Sequence, residues 1–272
     1  MRGSANLNIM VRAARRAGRA LARDFREVEN LQASVKGAGD FTFRAAVASA
    51  RILREDLSGA RPNYGWLAGE GDEVPGEDPT RRWIVDPLGG SVNFLHGLPH
   101  FAVSVALEHK GRIVAAVIHD PAREELFFAE QGAGAWMDAG RLRVSGRHRM
   151  AECILAAGIP AAAGGKGLPA MLRDLGRIIP VCAGVRHLGC PALSLAYVAA
   201  GRHDGYWERG VKVPEIAAGL LLVAEAGGLT TAIRDGQAPL EHGEVIAAGG
   251  EIFDRFAGAV KGAPDTEPRR GA

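Results

Sequence analysis

In the stretch RRWIVDPLGGSVNFLHGLPHF, residues 81 to 101, an apolar run ends on Asp86 and is followed by a Gly-Gly-Ser turn. That order suits the binding of a divalent cation together with a phosphate. Asp86 offers hard oxygen ligands, and the backbone amides of Gly89, Gly90 and Ser91 are placed to face an anion from a helix start. Two-metal phosphoryl chemistry needs several carboxylates to hold its ions, and this stretch supplies one. His96 and His100 have the spacing of two metal ligands on a helix, but Gly97 and Pro99 argue against a regular helix there, so the pair is not read as a site. GIPAAAGGKG lacks both the spacing and the closing Lys-Ser/Thr of a phosphate loop and is read as a surface loop.

These groups must be positioned by a chain of 272 residues, 47% hydrophobic and 24% charged, with a net charge of +2. The composition is that of a globular protein, and the near balance of charge makes nucleic acid an unexpected direct partner, although it leaves room for a local basic patch. Cys153, Cys182 and Cys190 are odd in number and lack metal-type spacing, so neither a disulfide framework nor a zinc site is expected and a reducing cytoplasm fits. No apolar run reaches the roughly 18 to 20 residues of a membrane span.

The arginine-rich start resembles a transit peptide, but Leu7, Met10, Ala14, Ala17, Leu21 and Phe25 recur at helical spacing and predict an amphipathic helix. VKGAGDF reads as a turn and FRAAVASARILREDLSGA as a second helix. YGWLAGE and RRWIVDP read as strands separated by GDEVPGEDPT, expected to be a surface loop. The segment from Phe101 to about Val144 alternates β-rich runs with turns, as an antiparallel meander does. Beyond Ser145, candidate strands CILAAGI, VCAGVRHL and HDGYWER alternate with helical stretches. We therefore expect an α+β half over residues 1–144, an α/β half over 145–260 and a frayed tail over 261–272.

The ordered blocks WIVDPLGGSVNFLHGLPHFAVSVAL, GRIVAAVIHDPAREELFFAEQGAGAW, LRVS, LAYVAAGRHDGYWE and IAAGLLLVAEAGG resemble the inositol monophosphatase family, especially its bacterial extragenic-suppressor-type members, from about residue 6 to 250. The resemblance implies a five-layered α-β-α-β-α sandwich, shared with the fructose-1,6-bisphosphatase type, and a homodimer. It also implies magnesium-dependent hydrolysis of phosphate monoesters.

Carried over position by position, the resemblance assigns metal contacts to Asp86, Leu88 and Glu215, with Glu70 a weak candidate. Ser91 replaces the threonine that orients water, which with Asp86 makes the catalytic pair. Gly90, Ser91 and Glu208 fall at phosphate- and substrate-binding positions. Three acidic positions are lost: Ala46, Gly69 and Gly89 stand where the family has carboxylates. Glu70 follows Gly69, and because neighbouring side chains on a strand face opposite ways, it is not expected to substitute readily. Glu215 sits at a predicted helix start, where an acid caps as readily as it binds metal. Glu208 has the alternative of a solvated acid beside Arg209. Cys190, Pro191 and Ser194 also depart from the family's pattern.

Disturbing even an outer-shell partner of a metal commonly costs about 10- to 100-fold, so three absent carboxylates predict weak or absent magnesium binding and phosphatase activity. Binding of a small phosphorylated polyol or of free phosphate is expected to persist. Two alternatives remain: an active inositol-1-phosphate phosphatase with a rearranged magnesium site, in which Asp72 or Glu73 assists, and a non-catalytic partner in transcription antitermination that contacts the transcription machinery.

Overall fold

The computed structural model describes residues 3–31, 38–69, 72–159, 167–234 and 237–262. Two helices, α1 (Ala5–Leu31) and α2 (Ala38–Ala60), pack together on one face of an eight-stranded sheet. The helical spacing at the start of the chain is the cause: Met10, Ala14, Ala17 and Leu21 are all fully buried, against Trp83, Val103, Val105 and Val117 of the sheet. Each large side chain so buried stabilises the fold by roughly 1.5–3 kcal/mol. The second helix begins earlier than the turn residues of VKGAGDF predict, since Gly39, Asp40 and Phe41 already belong to it; residues 35–37 lie outside the described set.

The sheet comprises β1 (Tyr64–Ala68), β2 (Asp72–Val74), β3 (Asp78–Gly89), β4 (Ala102–His109), β5 (Arg112–Asp120), β6 (Glu125–Glu130), β7 (Gly134–Met137) and β8 (Gly140–Arg141). Their order is β2-β1-β3-β4-β5-β6-β7-β8, with β1 and β3 parallel and every other pair antiparallel. The expected meander is present, and a short helix, α3 (Ser91–Leu95), interrupts the path from β3 to β4. GDEVPGEDPT, predicted as loop, instead supplies β2 and the start of β3. Its backbone pairs with β1 although its side chains carry no apolar alternation: Asp72, Glu73 and Val74 are all exposed. Pairing at a sheet edge needs backbone donors and acceptors rather than a buried face, which is why the side-chain pattern concealed it.

The second sheet runs β10 (Gly184–Arg186), β9 (Ile154–Ala157), β11 (Gly205–Arg209), β13 (Glu244–Gly249), β12 (Gly228–Thr231). Strand β9 is parallel to both neighbours, whereas β13 is antiparallel to both of its own. Helices α5 (Pro191–Ala199) and α6 (Val213–Glu225) fill the space between the two sheets and are apolar almost all round, as a helix covered on both sides must be. Helices α4 (Leu168–Ile178) and α8 (Gly250–Lys261) cover the far face, burying Met171, Ile178, Ile252 and Phe256 against Trp207. A four-residue helix, α7 (Pro239–His242), precedes β13. The layers therefore read α1/α2, first sheet, α5/α6, second sheet, α4/α8: the five-layered α-β-α-β-α sandwich. Lys261, assigned to the tail by sequence, completes α8, while 263–272 lie outside the described residues. No helix among the described residues is long and apolar enough to cross a membrane.

Candidate functional site

Asp86 stands where the pairing of β3 with β4 breaks register: Asp86 lies opposite Ser104, yet Gly89 lies opposite Ala102, so β3 carries one residue more than its partner over that step. Such a bulge re-aims side chains beside a site. It is held from two directions. Ser49 of α2 donates to the Pro87 carbonyl at 2.7 Å, and the Leu88 amide donates to Asp86 Oδ1 at 3.2 Å.

The turn that follows is built for glycine. Gly90 has φ of 82°, and a Cβ there would stand 2.8 Å from the His100 carbonyl oxygen, so a side chain meets both torsional strain and a clash. Ser91 then opens α3 and is exposed. Asn93 ties this turn across the molecule, donating to the carbonyls of His100 at 2.8 Å and Leu188 at 2.7 Å.

At Gly89 a Cβ would lie 2.7 Å from Asp86 Oδ2 and 3.5 Å from Cys190 Sγ. The Asp86 carboxylate thus occupies room that a side chain at 89 would use, and Cys190, at the start of α5, closes the other side. Burial first, and then the negative charge of Glu215, push Asp86 up to about 7; the Leu88 amide and Lys212 oppose the rise.

Glu215 reaches this region from the first turn of α6. Its Oε2 accepts a hydrogen bond from the Lys212 amide at 2.7 Å, so it caps the helix, and its charge also acts on Asp86, Glu208, Tyr206 and Cys190. The two readings of Glu215 left open by sequence are thus not exclusive in space. Glu208, on β11, is not a solvated acid beside Arg209. It accepts a short hydrogen bond from the Tyr206 hydroxyl and presses on Gly158, and burial pushes it up to about 7. Arg209, the next residue along the strand, pairs with Asp174 at 3.0 Å.

The positions expected to have lost carboxylates divide. Ala46 is half-buried on α2 and packs against the core beneath the first sheet. Gly69 lies past the end of β1 with φ of 58° and open space around its Cβ position, so the alternation argument applied to residues 69 and 70 does not hold: the chain has already left the strand. Glu70 lies outside the described residues. Asp72, weighed as an auxiliary ligand, accepts from the Trp66 indole at 3.0 Å and pairs with Arg54 at 3.3 Å, and Glu73 pairs with Arg82 at 2.9 Å. Leu88 is buried. Among the described residues no group of three or more His, Cys, Asp or Glu side chains converges as a metal site.

Sequence reasoning brought Asp86, Gly89, Gly90, Glu208 and Glu215 to one region but missed three members of it. Tyr206 shares a strand face with Glu208 at a separation of two, a signal that was legible. Lys212, whose charge acts on Asp86, and Asn93, the staple between halves, carry no periodic signal.

Comparison with known proteins agrees with this geometry. Residues 4–264 match the inositol monophosphatase family. An inositol-1-monophosphatase of Rhizobium meliloti (strain 1021) is 48% identical over 252 residues, covering 93% of this chain and 94% of that protein. The Nus factor SuhB of Escherichia coli (strain K12) is 39% identical over 241 residues, 89% and 90% of the two chains. The crystal structure of the extragenic suppressor protein suhB from Bartonella henselae superposes with a TM-score of 0.87 at 45% identity, covering 95% and 99%. With the layered sheets, the bulged Asp86 turn and a match over nearly the whole length in agreement, this chain belongs to the inositol monophosphatase family.

Proposed function

We propose that this chain binds a small phosphorylated polyol, or free phosphate, at the Asp86–Ser91 turn and is a weak or inactive phosphatase because its metal centre has been dismantled. The observation that carries this reading is the carboxylate of Asp86 lying 2.7 Å from the Cβ position of Gly89, in the place of a missing second acid. A divalent pair needs bridging oxygens from several groups. Asp86 with a helix-capping Glu215 does not fit such a pair, and Glu208 is engaged by Tyr206. The remaining anion-binding features are the backbone amides from Gly89 to Ser91 and the Ser91 hydroxyl. Glu208, held by the buried Tyr206, would meet polyol hydroxyls. We further propose a cytoplasmic homodimer.

Release of phosphate from inositol 1-phosphate, measured while magnesium is raised, tests the proposal. Negligible turnover is expected, and turnover at rates ordinary for an enzyme, saturating in magnesium, would overturn it in favour of a working, rearranged site, the reading that the name of the 48% identical relative favours. Restoring the carboxylates by Ala46→Asp, Gly69→Glu, Gly89→Asp and Glu215→Asp is expected to raise activity by at least about 100-fold. Gly89→Asp must displace the Asp86 carboxylate, and Gly69→Glu is strained by about 1–2 kcal/mol at its left-handed φ. A set omitting Gly69→Glu therefore belongs in the series.

The 39% identity to a Nus factor supports a second reading, a non-catalytic contact with the transcription machinery. Co-purification with transcription factors that survives Asp86→Ala would support it.

A further inference from the structure

The outer face of α1 carries six arginines, Arg12, Arg15, Arg16, Arg19, Arg23 and Arg26, all exposed. At about 100° per residue they fall within an arc of about 100°, opposite the buried Met10, Ala14, Ala17 and Leu21, and they extend over about 21 Å of helix. Three have acidic neighbours: Arg15 with Asp138 at 3.7 Å, Arg16 with Asp56 at 2.6 Å and Glu55 at 3.3 Å, and Arg23 with Asp24 at 3.1 Å. Arg12, Arg19 and Arg26 have no ion-pair partner among the described residues, and they recur every seventh position along one line of the helix. In a protein with a net charge of only +2, this is a concentrated positive ridge.

We infer that this ridge is a docking surface for the phosphate backbone of a single-stranded nucleic acid. The charge pattern identifies a polyanion, and three further observations select among polyanions. A protein interface is anchored by buried aromatic or aliphatic side chains, and among the described side chains of α1 no large apolar one is exposed. Insertion into a membrane needs a free apolar face, and the apolar face of α1 is spent in the core. Entry into a duplex major groove needs a protruding helix, whereas α1 lies flat along β5 with α2 beside it. A flexible strand can lie along such a ridge, meeting guanidinium groups about 5 Å apart with bidentate hydrogen bonds to its phosphates. With no exposed aromatic side chain on α1 for stacking, the binding is electrostatic and indifferent to base sequence. It does not depend on the catalytic state of the Asp86 turn.

The test is fluorescence anisotropy of a labelled, unstructured RNA of about 20 nucleotides, titrated with the full chain from about 50 mM salt upward. Affinity is expected to fall with salt at a log–log slope of about −2 to −4, reflecting three to six phosphates at about −0.7 each. The triple reversal Arg12→Glu, Arg19→Glu and Arg26→Glu is expected to weaken binding more than about 10-fold and to flatten the slope by about 2. The milder Arg12→Gln, Arg19→Gln and Arg26→Gln set, checked by circular dichroism, should flatten it similarly if the reversal disturbs folding. Unchanged binding by a folded variant, absence of binding by the wild type, or competition by polyglutamate or anionic vesicles as effective as that by unlabelled RNA would overturn the inference.

Discussion

Two groups of carboxylates in this molecule are held in opposite ways. Asp174, on α4 behind the second sheet, is 1% exposed and grasped by Arg177 at 2.6 Å and by Arg209 at 3.0 Å. Arg177 also donates to the carbonyls of Ala259 and Val260 at the end of α8, and Arg209 reaches on to Glu244 at 3.7 Å, so one acid knits two helices and two strands. Between the sheets, the charge of Glu215 bears on both Asp86 and Glu208, which are pushed up to about 7 chiefly by burial, with Lys212 opposing the rise at Asp86 and the Tyr206 hydroxyl opposing it at Glu208. Where a carboxylate serves the fold it is matched with guanidinium groups. Acids that crowd together with no guanidinium beside them are the pattern expected of a binding site, which is the reading proposed above for Asp86 and Glu208.

The sharpest break of this comparison is Asp174→Asn. It takes the carboxylate from between Arg177 and Arg209, leaving the half-buried Arg209 only the more distant Glu244, and should cost about 3–5 kcal/mol in chemical denaturation. A loss below about 1 kcal/mol would mean that the paired group is as dispensable as the unpaired one.

A smaller effect per residue is expected at three buried bases. His100, His119 and His203 are buried and held down to about 4, by burial in each case. Folded values below the ordinary 6.5 mean that the unfolded chain takes up protons first as acid is added. Stability is therefore whole above about 6.5 and is lost as pH falls toward 4, by about 2 kcal/mol for each histidine between pH 7 and 5. His100→Gln with His203→Gln, which cannot titrate, should flatten that slope; an unchanged slope would place the protons elsewhere. His100 and His203 flank the Tyr197 ring, with centroids 5.9 and 5.4 Å away, so the size of the replacements matters.

The smallest expected effect is at Glu208. Its folded value lies above that of an ordinary glutamate, so its ionisation weighs against folding and the penalty grows as pH rises through about 7. Glu208→Gln keeps an acceptor for Tyr206 and should leave the protein as stable at pH 8, or more stable by up to about 1 kcal/mol, by thermal unfolding. A clear destabilisation would move Glu208 into the same class as Asp174.

Much of this could be read from residue order. The helical recurrence of Leu7 to Phe25 fixed α1, since a stripe at that spacing can be buried only by a helix lying on another element. The turn signals of the β-rich middle located the meander, and the absence of carboxylates at Ala46, Gly69 and Gly89 is a fact of sequence alone. Strand β2 escaped notice because an exposed edge strand needs no apolar alternation, and the turn at Gly69 because a glycine does not announce the sign of its φ.

What the sequence by itself determined is which chemical groups are present and which are missing, together with the periodicities that drive each helix and strand to bury one face. Only the tertiary structure decided what those groups meet. Asp86 leans over Gly89, Glu215 caps α6 while its charge reaches the same region, Glu208 turns to Tyr206, and the arginines of α1 remain on the outside. The reason is physical: composition fixes the inventory of charge, but burial, distance and competing hydrogen bonds fix what each charge meets, and these arise only when segments far apart in the chain are packed together.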